Sequence, residues 1–199
     1  MRRLISIALA ILICAVLATP VSQAQSTTTT GTVQELGPFT YYNFQSSDGT
    51  TVSGSSQQLG SFTFYSLRSS DGTLTSGDSH ELGSFTNYDF RSAGRWAGTE
   101  ARPYIGTAVT TTGSSYELGP FTNYSFTTTE TGVGSFETTT TTGSSYEMGS
   151  FTYFDFLSSD GSSTSGTTQT LGNTDYWNLT QTEPVEVDSD PFSSIFDDD

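Results

Sequence analysis

The stretch Leu36-Gly37-Pro38-Phe39-Thr40-Tyr41-Tyr42-Asn43-Phe44-Gln45-Ser46-Ser47-Asp48-Gly49 decides how this chain folds. It is rich in aromatics and Thr and alternates with period two, which is the pattern of a β-strand rather than a helix. Tyr42 and Phe44 share one face, and Asn43 between them is polar. Ser46-Ser47-Asp48-Gly49 then closes the strand, with Asp-Gly expected to supply the positive φ angles of a tight hairpin turn.

Working outward, the same phrase recurs six times, anchored on Leu36, Leu59, Leu82, Leu118, Met148 and Leu171. The anchors are 23, 23, 36, 30 and 23 residues apart, so the unit is 23 residues and the third and fourth units carry extra length. One parity holds Tyr42, Tyr65, Tyr88, Tyr124, Phe154 and Trp177, followed two residues later by Phe44, Leu67, Phe90, Phe126, Phe156 and Leu179. These pairs are the expected core face. The residue between each pair is Asn43, Ser66, Asp89, Ser125, Asp155 or Asn178, as a solvent-facing position requires. Phe39, Phe62, Phe85, Phe121 and Phe151 fall on the other parity by count, but the glycine beside each anchor allows a bulge or bend, so their facing stays open. A second strand of Ser, Thr and Gly returns to the next anchor. Each unit is therefore a hairpin, and six hairpins give about twelve strands. The expected fold is all-β: a pseudo-symmetric antiparallel barrel of six β-hairpin repeats, whose closure removes exposed sheet edges.

The 199 residues are 33% hydrophobic and 14% charged, with a net charge of -15 and one cysteine. Residues 1 to 24 read as a secretory signal: Arg2 and Arg3, an apolar run from Leu4 to Leu17, Pro20, then Ser22-Gln23-Ala24. Sec-type cleavage near Ala24 would deliver the chain to the periplasm or beyond. It would also remove Cys14 and two arginines, leaving four Arg, no Lys and 21 acids. That composition excludes disulfides, thiol nucleophiles, amine catalysis and a Cys zinc site in the mature chain. It argues equally against nucleic acid or an anionic membrane surface as partner. The expected division is then a polar segment at 25–30, the repeat domain at 31–180, and an acidic tail at 181–199.

The phrase Gln169-Thr170-Leu171-Gly172-Asn173-Thr174-Asp175-Tyr176-Trp177-Asn178-Leu179, preceded by Asp160-Gly161-Ser162-Ser163-Thr164-Ser165-Gly166, resembles the hairpin repeats of the small secreted bacterial proteins described as β-flowers. The resemblance spans about residues 31 to 180. It implies a shallow pseudo-symmetric barrel with hairpins as petals and no assigned activity. This chain departs from it in its two expanded units, and five of its six units have Phe-Thr where the last has Thr-Asp. No functional residue is carried over.

The residues offer little chemistry. His80, the sole histidine, stands where other units have Gln57, Tyr116 or Tyr146, with no nucleophile or orienting acid marked nearby. Each Ser-Ser-Asp-Gly turn offers one carboxylate, whereas calcium needs six to eight oxygens. Glu35, Glu81, Glu117 and Glu147 recur in register before the anchors; a catalytic pair would break that symmetry. No catalytic residue, metal site or cofactor is expected.

Two segments do break the repeat. The expansion from Arg91 to Val109 gathers Arg91, Arg95 and Arg102 with Trp96 and Tyr104, the composition of a binding hot spot. The tail from Glu183 to Asp199 holds seven acids, no base, and Phe192, Ile195 and Phe196, a composition that predicts disorder. The expectation for function is an exported, non-enzymatic binding or surface-associated structural protein, with a carbohydrate, an apolar ligand or another protein as candidate partner. A polysaccharide hydrolase or a carrier for an apolar ligand is the alternative, the carrier turning on whether the barrel interior is open. A membrane-spanning barrel is disfavoured, because the Ser/Thr/Gly return strands lack lipid-facing apolar alternation. Tyr41, Phe64 and Tyr153 form an outward aromatic row suited to stacking on sugar rings or simply to covering the sheet.

Overall fold

The computed structural model describes residues 26–93, 108–132 and 135–183. The signal segment, Arg95, Trp96, Arg102, Tyr104 and residues 184–199 of the tail lie outside the described residues. Twelve antiparallel strands run from β1 (Ser26–Leu36) through β2 (Phe39–Ser46), β3 (Thr51–Leu59), β4 (Phe62–Ser69), β5 (Leu74–Leu82), β6 (Phe85–Ala93), β7 (Ala108–Leu118), β8 (Phe121–Gly132), β9 (Ser135–Met148), β10 (Phe151–Ser158) and β11 (Ser163–Leu171) to β12 (Thr174–Thr182). Each pairs with its neighbours in sequence, and β1 pairs with β12 from Ser26↔Thr182 to Gln34↔Thr174, closing the barrel. The described strands run from Ser26 to Thr182.

The barrel has two unlike ends. At one, six two-residue turns join Leu36 to Phe39, Leu59 to Phe62, Leu82 to Phe85, Leu118 to Phe121, Met148 to Phe151 and Leu171 to Thr174. The glycine in each turn takes the first loop position, as Gly37 does at φ 65° and Gly119 at φ 61°, the signature of a type II′ turn. The tight turns are therefore at the anchors, where the sequence left a bulge or bend open. At the other end the Ser-Ser-Asp-Gly segments make longer loops. Only the glycine has positive φ there, for example 91° at Gly49, while Asp48 accepts the Thr50 N–H at 2.8 Å through Oδ1. That corrects the expectation that Asp and Gly together supply positive φ: the geometry is a type I turn followed by a glycine bulge, with Gly49 N–H donating to the Ser46 carbonyl at 3.0 Å. The same hydrogen bond from Thr50 holds the Asp48 carboxyl below the usual carboxylate range.

Both unit expansions are entered and left from strand ends at this loop end. The fourth is a lengthened hairpin in which β8 and β9 stay paired out to Gly132↔Ser135. The third begins after Ala93 and ends before Ala108. Chain entry at Ser26 and exit at Thr182 sit here too.

The expected core pairs are all buried, and Val33 and Val52 join them. A twelve-stranded barrel is wider than the roughly eight strands that side chains fill easily. The repeat solves this by alternating large and small: aromatic strands project rings inward, and each return strand places a glycine opposite them. A Cβ on Gly31 would collide with the Phe44 ring, and one on Gly143 with Phe156 Cδ1 and the Asp155 carbonyl. The rings then interlock between units. Tyr65 meets Phe90 at 5.3 Å between centroids, Tyr88 meets Phe126 at 5.6 Å and Tyr124 meets Phe156 at 5.4 Å. Phe44 against Trp177 at 6.3 Å closes the circle across the β1–β12 seam.

The tyrosine tips inside the core are matched, whereas Trp177 Nε1 and the Ser46 and Ser69 hydroxyls are buried without a hydrogen-bond partner. The hydroxyls of Tyr42, Tyr65, Tyr88 and Tyr124 pair with Ser56, Ser79, Ser115 and Ser145 at 2.9 to 3.3 Å. In the last two units the tyrosine becomes Phe154 or Trp177, and the facing serine becomes Thr168 or Val33. Burial pushes the phenols of Tyr42 and Tyr88 up to about 12, and raises those of Tyr65 and Tyr124 as well.

Candidate aromatic contact surface

The strand alternation that fills the barrel also sends aromatics outward. Of the 20 exposed large apolar or aromatic side chains among the described residues, all but Leu74, Phe136 and Leu157 lie at the glycine-turn end. They form two tiers. The tip tier is the six anchors, each more than half exposed, with Phe39, Phe62, Phe85, Phe121 and Phe151. Two residues further along the strands come Tyr41, Phe64, Tyr153 and Tyr176, with His80, Tyr116 and Tyr146 on the facing strands. Cross-strand stacking makes the tiers one surface: Phe62 lies on His80 at 4.1 Å and 5°, Phe85 on Tyr116 at 4.7 Å, and Phe121 on Tyr146 at 4.9 Å. This is a collar running around the barrel.

Inside the collar is an acidic mouth. Glu35, Gln58, Glu81, Glu117, Glu147 and Thr170 are half-buried and share the inward parity of the buried residues two positions before them. Their strand partners are Thr40, Thr63, Thr86, Thr122, Thr152 and Asp175. Thr170 Oγ1 donates to Asp175 Oδ1 at 2.6 Å, so this one unit swaps its carboxylate to the other strand of the pair. Three of these carboxylates act on the buried tyrosines: Glu35 adds to the upward shift of Tyr42, and Glu81 and Glu117 to that of Tyr88. The five carboxylates surround the mouth in register. No group of three or more potential metal-ligating side chains is gathered to hold an ion among the described residues.

Of the arginine-loop residues only Arg91 is described. It points outward from β6 at the loop end, largely exposed, with Nε 3.9 Å from Asp89 Oδ1. The structure thus puts Arg91 at the opposite end from the collar; Trp96 and Tyr104 of the expected hot spot lie outside the described residues. Tyr41, Phe64 and Tyr153 are exposed as expected. The sequence reading missed that the anchors join them. The signal was available in the parity count, which already put Phe39 and its equivalents opposite the core; taking the glycine and the residue after it as a two-residue turn would have removed the ambiguity.

Comparison with known proteins finds no family model, no curated protein and no solved structure that matches this chain.

Proposed function

We propose that this is an exported, non-enzymatic protein whose working part is the collar, which holds the barrel against another surface as a binding or structural element. One observation carries this reading: among the described residues, 17 of the 20 exposed large apolar or aromatic side chains are concentrated at one end of the barrel. Monomeric proteins rarely expose a contiguous apolar patch beyond a few hundred Å², and such patches mark interaction sites. Nothing in the folding of the barrel calls for this ring, because its interior is already filled by a different set of side chains. Six two-residue turns of equal length join the strands at that end, while the strand ends from which the insertions and the chain's flanking segments continue are at the other.

The carboxylates of the mouth form a repeated ring rather than a singular pair, which supports a non-catalytic reading over a hydrolase. The buried aromatic rows occupy the space an apolar cargo would need, which weighs against a carrier. The outer apolar band is two residue steps tall, about 7 Å along a strand, against about 25 Å for a spanning barrel. A peripheral rather than integral association follows. The β-flower resemblance adds a symmetric hairpin barrel to this reading and no activity.

The test is fractionation of the cells that make the protein, comparing the native chain with Leu118→Ser/Phe121→Ser and Leu59→Ser/Phe62→Ser. The native chain should stay with the envelope or cell surface, and both collar variants should be released. Equal retention of all three would overturn the reading.

A further inference from the structure

We infer that the occupant of the collar is a lipid bilayer surface with zwitterionic, amine-bearing headgroups, on which the barrel stands end-on with its glycine turns in the interface. This rests on the collar being the working surface and names what that surface touches.

Shape is the first argument. The collar turns through the full circle of twelve strands, roughly 55 to 60 Å around at the usual strand spacing. A protein partner would have to encircle the barrel to cover it. A fluid, laterally uniform interface covers it simply by being entered. Depth agrees with this: two residue steps plus a turn give about 10 Å, and interfacial segments bury about 5 to 10 Å.

The order of residue types along that depth is the second argument. The tip tier is Leu, Met and Phe, with Thr174 its one polar member. The next tier mixes five tyrosines, each an apolar body with a polar tip, with Phe64, His80, three glutamines, Asn87 and Asn123. Beyond it the outer face is polar, as at Asn43, Gln45 and Arg68. Hydrocarbon at the tip, polar-tipped aromatics above it and water beyond is the sequence of environments a headgroup layer presents.

Charge selects the lipid. The five mouth carboxylates inside the collar complement ammonium groups and repel anionic headgroups. They also weigh against other occupants. A second copy docked mouth to mouth would oppose two rings of like charge. The chain's own tail, with seven acids from Glu183 onward, would bring more of the same sign. Among the described residues, the strand ends at Ser26, Thr182, Ala93 and Ala108 and the lengthened β8–β9 hairpin are all at the far end from the collar.

The experiment is flotation of the exported protein, purified from its own source, with vesicles of phosphatidylcholine and phosphatidylethanolamine, and with vesicles in which half the lipid is replaced by phosphatidylglycerol. The native chain should float with the first and bind the second more weakly. Leu118→Ser/Phe121→Ser and Leu59→Ser/Phe62→Ser should each lose about tenfold or more in binding, since several large apolar contacts are removed. Leu74→Ser/Leu157→Ser, at the loop end, should bind as the native chain does, and melting curves establish that all variants are folded. Failure to float with zwitterionic vesicles, tighter binding to the anionic ones, or equal loss in the loop-end variant would overturn the proposal. Self-association without lipid, abolished by the collar variants, would instead assign the surface to a second copy. Collar-dependent retention on insoluble polysaccharide, without flotation, would assign it to sugar. Release of the collar variants from cells with no vesicle binding overturns lipid alone, whereas their retention in the envelope overturns the collar itself.

Discussion

Phe151 and Phe156 lie on the same eight-residue strand, are the same chemical group, and face opposite ways. Phe156 is 2% exposed and locked between Tyr124 and Phe154; Phe151 is 39% exposed at the barrel tip. The inner aromatic set and the outer one are thus products of one alternating pattern, separated by a single parity. The inner set explains why the barrel holds together. Folding gains less from the outer set, whose rings keep roughly two-fifths to half of their surface in water, and that exposed remainder is what marks it as a contact surface.

The contrast can be attacked from the inner side first, where the effects are largest. Tyr42 and Tyr88 have phenols raised to about 12, with Tyr65 and Tyr124 raised too, all chiefly by burial. In the unfolded chain these groups ionise near their ordinary value of about 10, so the native state holds more protons between the two values. Stability from this source is complete below pH 10 and is lost as pH rises toward and through 12. The expected outcome is cooperative alkaline unfolding in that window, with the phenolate absorbance of these four groups appearing together with loss of far-ultraviolet circular dichroism. Ionisation well ahead of unfolding would mean the inner ring is open to solvent.

Next comes Phe90→Ala, which removes a ring 1% exposed and in contact with Tyr65. It should cost about 3 to 5 kcal/mol in denaturant titration. Gly143→Ala should cost about 1 to 3 kcal/mol, because its methyl would push against Phe156 and backbone that has no room to move. A companion Phe156→Leu should restore part of the loss, which a purely conformational effect of glycine would not allow. Smallest is Tyr124→Phe, which strands the Ser145 hydroxyl in the core and should cost about 1 kcal/mol.

Much of this fold was legible in the sequence. The spacing of the anchors and the parity of Tyr42 and Phe44 gave the strand, its inner face and the number of strands, because alternation is a local property that burial then obeys. Less legible was the turn chemistry. Asp-Gly suggests a turn with two positive φ angles, but Asp48 does better as a hydrogen-bond acceptor for Thr50 in a longer loop. The collar was half seen: Tyr41, Phe64 and Tyr153 stood out singly, while Leu36 and its equivalents were read as anchors although they are exposed at turn tips. A leucine beside a glycine is ambiguous until pairing shows which residue faces which. The acidic mouth was hidden in the same way, since Glu35, Glu81, Glu117 and Glu147 become a ring only when the sheet closes.

The most direct measurement is equilibrium denaturation of Phe151→Ser and Phe156→Ser side by side. About 3 to 5 kcal/mol should be lost at Phe156 and about 1 kcal/mol at Phe151, with the same denaturant dependence in both. Comparable losses at the two positions would contradict this, because the outer ring would then belong to the folding core and not to a contact surface.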